Sequence, residues 1–316
     1  MTEPTTARRR NSASSRAAHG RDRLLAGAVV DRRLAPRINA WYRATARDFP
    51  WRAPGTSPWA ILLIEVMAQQ TQIERAGAAW AEWLERWPAP ADLAAASPAE
   101  VLRAWDRLGY PRRALALHRA AQAIVERHGG EVPADVEALL ALPGIGPYTA
   151  AAVAAFAFGI RTPVVDTNVR RVLARTVLGI AGLAPNARRD LELMADALPA
   201  TPAAARTFNA AAMELGALVC TARAPSCGSC PVAELCAWRA AGYPAPEAAP
   251  RRQPRFAGSD REARGLVMAA LRASSVPVTR AELDRLVAEP SRIDRALDGL
   301  LADGLAVSAD GGYALP

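Results

Sequence analysis

Lysine is missing altogether: all 39 basic residues of this 316-residue chain are arginine. A buried lysine amine is a common Schiff-base nucleophile, and that chemistry is closed to this protein. Cysteine is scarce. The four cysteines all fall between Cys220 and Cys236, which leaves none to staple the rest of the chain and points to ligands rather than disulfides. No apolar run reaches the roughly 20 residues of a membrane-spanning helix. The basic, Ser/Ala-rich N-terminus also lacks the apolar core of a signal peptide. A cytoplasmic protein without a membrane partner is expected. Strand-like alternation is scarce too, while alanine and leucine dominate, so the body should be mainly α-helical.

What is present is positive charge. A formal charge of +8 and a pI near 10.1 favour a polyanionic partner. Part of it is local: residues 1–33 hold eight arginines against Glu3, Asp22 and Asp31, which is +5 of the +8. Residues 1–27 read as a disordered basic tail, either solubilising or DNA-contacting.

Helical spacing of Val29, Val30, Leu34, Ile38 and Trp41 predicts a helix over 28–47. After the loop FPWRAPGTSPW, Ser57 as N-cap and Pro58 at the first position start a helix running through WAILLIEVMAQQTQ. It is apolar nearly all round and therefore buried. Helices over 73–87, 98–108 and 112–128 follow, the second opened by the capping box Ser97 to Glu100. His118 and His128 read as helix-surface residues. Beyond the Pro/Ala-rich linker 241–257, capping boxes at Ser259, Thr279 and Ser291 announce three short helices. LAVSADGGYALP then reads as two strands. Residues 258–316 thus suggest a winged-helix-like module or a similar small α+β cap.

The stretch from Leu139 to Leu173 reads as helix, tight glycine turn, helix, loop and helix. Gly144 and Gly146 permit positive φ and close approach of another chain. The helix starting at Pro147 turns free N–H groups and its dipole beside that turn, an anion site suited to phosphate. Asp166 precedes the third helix, where an N-cap is the plain reading. Glu65 lies inside ILLIEVMA, where desolvation favours the protonated form that a general acid needs. Positions 65, 69 and 72 share one helix face, so Glu65, Gln69 and Gln72 form one polar stripe; pairing of Glu65 with an arginine is the structural alternative. The spacing C-x6-C-x2-C-x5-C calls for a soft metal centre, and both zinc and an iron–sulfur cluster satisfy it. Arg223, between the first two cysteines, is placed to present charge to phosphate.

Taken together, LPGIGPYTA, VDTNVRRVL, EVMAQQTQ and the cysteine spacing resemble the helix-hairpin-helix DNA glycosylases that carry a [4Fe–4S] cluster. PWR at 50–52, LGY at 108–110 and FNAAAMELGALVCT at 208–221 bring the resemblance closest to the MutY-type adenine glycosylases, over about 28–240. It implies a two-lobed, mainly α core at 28–240. Residues 58–160 would be the helical barrel with the hairpin, and 28–57 with 161–240 the iron–sulfur lobe. Glu65 would protonate the flipped adenine at N7, and Asp166, supported by Asn168, would stabilise the cationic sugar. Tyr148 would lie next to the sugar. Gln70 would wedge into the base stack and Tyr110 would intercalate. Trp51, Arg52 and Glu214 would line the adenine pocket, although Trp51 and Tyr110 also suit plain packing. Gly144 and Gly146 would hold a phosphate. Cys220, Cys227, Cys230 and Cys236 would ligate the cluster.

Bifunctional relatives keep a strand-cutting lysine where this chain has Tyr148, so a monofunctional enzyme with little β-lyase activity is implied. Its partner would be double-stranded DNA containing adenine mispaired with 8-oxoguanine or guanine, bound by a monomer associated with the nucleoid. Two departures stand out. Pro111 follows Tyr110 where many members have a second tyrosine. The roughly sixty C-terminal residues are too few for the Nudix-like domain of many members, and its acidic motif is absent. Duplex contacts through Arg280, Arg285, Arg292 and Arg295 of the C-terminal module are one expectation, and a structural or partner-binding cap is the other. A thymine or uracil glycosylase, and a non-catalytic iron–sulfur DNA-binding protein, are the competing readings.

Overall fold

The computed structural model describes residues 28–246 and 255–316. The expected tail 1–27, and residues 247–254 of the expected linker, lie outside them. The chain divides into two units. The first comprises the described parts of Met1–Asp48 and Gly159–Ala249; the second comprises Phe49–Phe158 and the described part of Pro250–Pro316.

Helix α1 (Leu34–Thr45) is shorter than the periodicity predicts. The Arg33 N–H donates to the Asp31 carboxylate at 2.8 Å, so a local side-chain bond turns the chain into the helix six residues late. The helix α2 (Pro58–Met67) starts as expected, with Ser57 Oγ accepting from the Ala60 N–H. It stops at Met67 instead of running on to Gln72. Gln70 takes a left-handed φ of 54°, and Arg113 takes the Val66 and Met67 carbonyls. The polar stripe therefore does not exist as a helix face: Gln69 donates to Thr149 Oγ1 at 3.0 Å, while Gln72 is the N-cap of α3 (Ile73–Arg86).

The short α4 (Pro90–Ala95) precedes α5 (Pro98–Trp105), which has its Ser97–Glu100 capping box. Helix α6 (Arg112–His128) ends at left-handed Gly129. His118 on α6 is buried rather than on the surface, with Nε2 unpartnered, because α6 packs against α2, α4 and α5. The hairpin is α7 (Val136–Leu140), the turn 141–146 and α8 (Pro147–Phe158). Alanines 150, 152 and 154 on α8 have no exposed surface; such small side chains let α2 approach closely. Leu62, Leu63, Met67, Trp83 and Trp105 are buried in the same unit.

In the first unit follow α9 (Thr167–Thr176), α10 (Ala187–Ala197), α11 (Pro202–Leu218) and, after the cysteine loop, α12 (Ala237–Ala240). Ile38, Val172, Phe208 and Leu215 form the centre of its core.

The C-terminal module contains α13 (Asp260–Ala273), α14 (Arg280–Asp284) and α15 (Pro290–Ala302), then β1 (Val307–Ala309) antiparallel to β2 (Gly312–Ala314). A bridge from Val278 to Tyr313 extends the ribbon. A Cβ on Gly312 would meet the Val278 carbonyl, so only glycine permits that approach. The capping boxes at Ser259 and Thr279 mark real N-caps. The one at Ser291 does not form: Pro290, with its preset φ, starts α15 two residues earlier behind Glu289, and Ser291 Oγ donates to Glu289 at 2.6 Å.

Candidate active site

In the second unit, Glu65 sits on α2 among residues that are almost all buried. Tyr148, in the first turn of α8, donates its hydroxyl to Glu65 Oε2 at 2.9 Å. The helix pair thus places a carboxyl and a phenol in register, and the neighbouring Gln69–Thr149 bond closes the same seam. Trp51 and Arg52 lie on a 3-10 turn over Pro50–Arg52. Trp51 stacks on Phe49 with centroids 4.7 Å apart and meets Trp80 edge-on. The Arg52 guanidinium lies over the Phe49 ring at 4.7 Å.

The hairpin glycines differ. Gly144 is left-handed, and a Cβ there would lie 2.5 Å from the Ala116 side chain. Its glycine requirement comes from packing on α6. Gly146 does not have positive φ, and a Cβ there would meet nothing within 4 Å. Its outer face is the open one, beside the N-terminus of α8.

Gln70 and Tyr110 sit on separate turns, both left-handed and both exposed. Sequence reasoning missed what joins them. Arg113 Nη1 donates to the Val66 carbonyl at 2.8 Å, and Nη2 to Thr71 Oγ1 at 3.2 Å. Nη2 also reaches the Leu108 and Gly109 carbonyls, and the guanidinium lies within 5.5 Å of the Tyr110 ring centroid. One planar fork holds both turns. Nothing local in the sequence marks Arg113 among so many arginines.

In the first unit, Asp166 is the N-cap of α9. Its Oδ1 accepts from the Val169 N–H and its Oδ2 from Asn168 Nδ2, both at 2.7 Å. Burial pushes the Asp166 carboxyl above its ordinary range, against the pull of those hydrogen bonds and of Arg171. Buried Asn209 clamps the approach: it accepts from the Val164 N–H and donates to the Thr162 carbonyl. Arg171 donates to Asn168 Oδ1 and to the Gly216 and Cys220 carbonyls. Asp166, Asn168, Arg171 and the start of the cysteine loop are therefore one hydrogen-bonded chain. A Cβ on Gly216 would lie 2.6 Å from the Asn168 side chain, which is the physical reason for the glycine in MELG. Glu214 is buried, and accepts from the Arg47 backbone N–H and from its guanidinium at 2.8 and 3.1 Å. Glu214 is thus held by an ion pair, and Arg47 is a second residue that sequence reasoning did not single out.

The pH dependence follows with a definite sign. A raised folded-state value means that the folded chain takes up this proton more readily than the unfolded one. Asp166's contribution to stability is then present in acid and is lost as pH rises through the folded value. If the anion is the working form, as the resemblance implies, activity runs the other way. The rate of base release should then fall on the acid side with a midpoint above the ordinary Asp value of about 3.9. Asn168→Ala, which removes a bond favouring the anion, should move that midpoint further up. A single-turnover pH profile of both proteins checks this, and an unshifted midpoint in the variant would remove Asn168 from that role.

Cys220, Cys227, Cys230 and Cys236 line one cavity, walled by Val172, Leu215, Val219 and Trp238. Burial, reinforced by the neighbouring thiols, pushes the Cys230 thiol up to about 11 and raises Cys236 as well. Loading a metal centre must therefore release protons. Four thiols lining one cavity are a donor set that fits an iron–sulfur cluster, and tetrahedral zinc is satisfied by the same set. Buried Arg175 pins the loop, donating to the Thr221 and Ala222 carbonyls and to Cys220 Sγ at 3.4 Å, with its guanidinium over Trp238. Arg223 is exposed on the same loop.

Comparison with known proteins bears on each of these features. Residues 63–193 match the model of the HhH-GPD superfamily base excision DNA repair protein. Residues 220–236 match the iron–sulfur binding domain of endonuclease III, so the [4Fe–4S] cluster is the cofactor of the cysteine loop. The adenine DNA glycosylase of Mycolicibacterium smegmatis is 54% identical over 278 residues, covering 87% of this chain and 94% of that protein. A thymine/uracil-DNA glycosylase of Pyrobaculum aerophilum is 36% identical, over 62% of this chain and 86% of its own. Among solved structures, a thermostable thymine-DNA glycosylase superposes with a TM-score of 0.61 at 28% identity, covering 66% of this chain and 97% of its own. No helix among the described residues is long and apolar enough to cross a membrane. With nearly the whole length of the mycobacterial enzyme matched at more than half identity, the chain belongs to the adenine DNA glycosylase family of the HhH-GPD base excision repair superfamily.

Proposed function

We infer that this protein is a monofunctional, monomeric glycosylase that hydrolyses the N-glycosidic bond of adenine mispaired with 8-oxoguanine or guanine in nucleoid DNA. The observation that carries the reading is the Glu65–Tyr148 pair at 2.9 Å, in which a phenol orients a carboxyl on an otherwise apolar helix. Glu65 delivers its proton to N7 of the extruded adenine, and the electron pair of the glycosidic bond leaves with the base. Asp166, held by Asn168 and the Val169 N–H, balances the positive charge that develops on the sugar and guides water to it. Trp51, Arg52 and Glu214 serve recognition of the base. Gln70 and Tyr110 enter the duplex, and the Gly146 side of the hairpin takes a phosphate. Bound by the four thiolates, the cluster ties 220–236 into the first unit. With no lysine in the chain, no Schiff base forms through a lysine amine, and the product is an abasic site in an intact strand.

The relative that acts on thymine and uracil keeps a second substrate class in view. Duplexes containing A:8-oxoG, A:G, T:G or U:G, incubated with the protein and then treated with alkali, separate the readings. The expected result is a break at adenine that appears only after alkali. Cutting at thymine or uracil, or none from a cluster-loaded protein, overturns it.

A further inference from the structure

Of the two readings of the C-terminal module, duplex contact through its arginines or a structural or partner-binding cap, the first meets the fact that three of its four candidate arginines are already engaged. Arg280 pairs with Asp284 and Asp294, Arg292 with Glu262, and Arg295 with Asp260. Residues 255–316 hold eight arginines against nine carboxylates, so this segment does not share the positive charge of the whole chain. Counterion release from DNA needs unpaired positive charge, and three of the four candidate arginines have spent theirs inside the module.

Its polar contacts with the rest of the second unit fall instead on one short stretch. Arg103 donates to the Ser274 carbonyl at 3.2 Å. Arg112 donates to Asp303 at 3.1 Å, and Asp303 is itself held by Arg264 at 2.7 Å. Arg272, largely buried, faces Asp106 at 3.8 Å. Helix α13 also packs against α5. Residues 103, 106 and 112 bracket the turn that carries Tyr110. That turn is strained: Asp106, Gly109 and Tyr110 have φ of 39°, 78° and 49°, and non-glycine residues persist there only where their surroundings over-determine them. Arg113 holds the turn from within. The module holds both of its ends.

We propose that residues 258–316 are a brace for the Tyr110 turn, with Arg272 and Asp303 as positioning residues, and that the module reads no DNA itself. The functional side of this rests on the reading that Tyr110 enters the duplex; the structural side does not. A braced aromatic meets the base stack without first paying to order its turn, so the module sharpens discrimination of a mispaired site over a paired one.

Hydrogen exchange on the full-length, cluster-loaded protein tests the brace. In Arg272→Ala and Asp303→Ala, amides of 106–110 should exchange about two- to fivefold faster, the range of a partly exposed ion pair, while α13 and α15 stay protected. Arg112→Ala, altered on the exposed side of the same contact, should do the same without touching the module. Unchanged exchange at 106–110 in all three overturns the proposal. Affinity for duplexes with and without a mispaired adenine is the second readout, with the mispaired duplex alone expected to weaken. Equal weakening of both, with a shallower salt dependence, would mean direct phosphate contact and also overturns it. Tyr110→Ala separates the two layers: if it leaves mispaired affinity intact, the intercalation reading fails while the exchange result still decides the brace.

Discussion

Glu65→Gln is expected to bind duplex DNA as the native protein does and to release essentially no adenine. The amide is close to isosteric, and its carbonyl oxygen still accepts from Tyr148, so the 2.9 Å contact survives. What is lost is the acidic proton. General acid catalysis contributes about 10²- to 10⁴-fold, and the single-turnover rate should fall by that much. Gel-shift affinity measured in parallel separates chemistry from binding. Tyr148→Phe should fall between the two proteins, since it keeps the acid and loses only its orientation. If Glu65→Gln retains its rate, the proton comes from elsewhere and the proposed mechanism fails at its first step.

Arg113→Ala should produce the second large effect, on stability and recognition together. The guanidinium satisfies acceptors on two turns at once. Its removal leaves half-buried carbonyls at Val66, Leu108 and Gly109 without this donor, a loss of about 2–3 kcal/mol. Urea unfolding should show a lower midpoint with an unchanged slope. Gln70 and Tyr110 both lose their shared anchor, so affinity for a mispaired duplex should drop at least about tenfold, equivalent to 1.4 kcal/mol, while fully paired DNA is bound as before. Arg113→Lys tests the geometry rather than the charge. A single ammonium does not span two turns as a planar fork does, so lysine should recover stability in part and discrimination hardly at all. Full recovery by lysine would mean that the positive charge alone matters.

Much of this was legible in residue order, for reasons that are local. Capping at Ser57, Ser97, Thr279 and Asp166 involves side chains bonding the backbone three residues on, and such bonds are written into short spacings. So is the span of α6, a continuous helical pattern closed by a left-handed glycine. The cysteine loop was readable because its four ligands share one short segment. The largest failure came where a distant residue intervened. Helix α2 stops at Met67 because an arginine 46 and 47 positions away takes its last carbonyls, and no window of sequence contains that competition. Ser291 failed as a cap for a local reason, with Pro290 starting the helix first.

By itself the sequence determined the chemistry available: no lysine amine, four clustered thiols, a carboxyl in an apolar helix and another before a helix. These depend on residue identity and short-range backbone preference. Tertiary structure alone decided partnerships. It set Tyr148 against Glu65 across 83 residues, drew Arg47 to Glu214 across 167, and joined Arg112 to Asp303 across 191. Side chains this far apart in the chain meet only after the intervening helices have packed, and what each arginine does follows from which carboxylate or carbonyl that packing brings within reach.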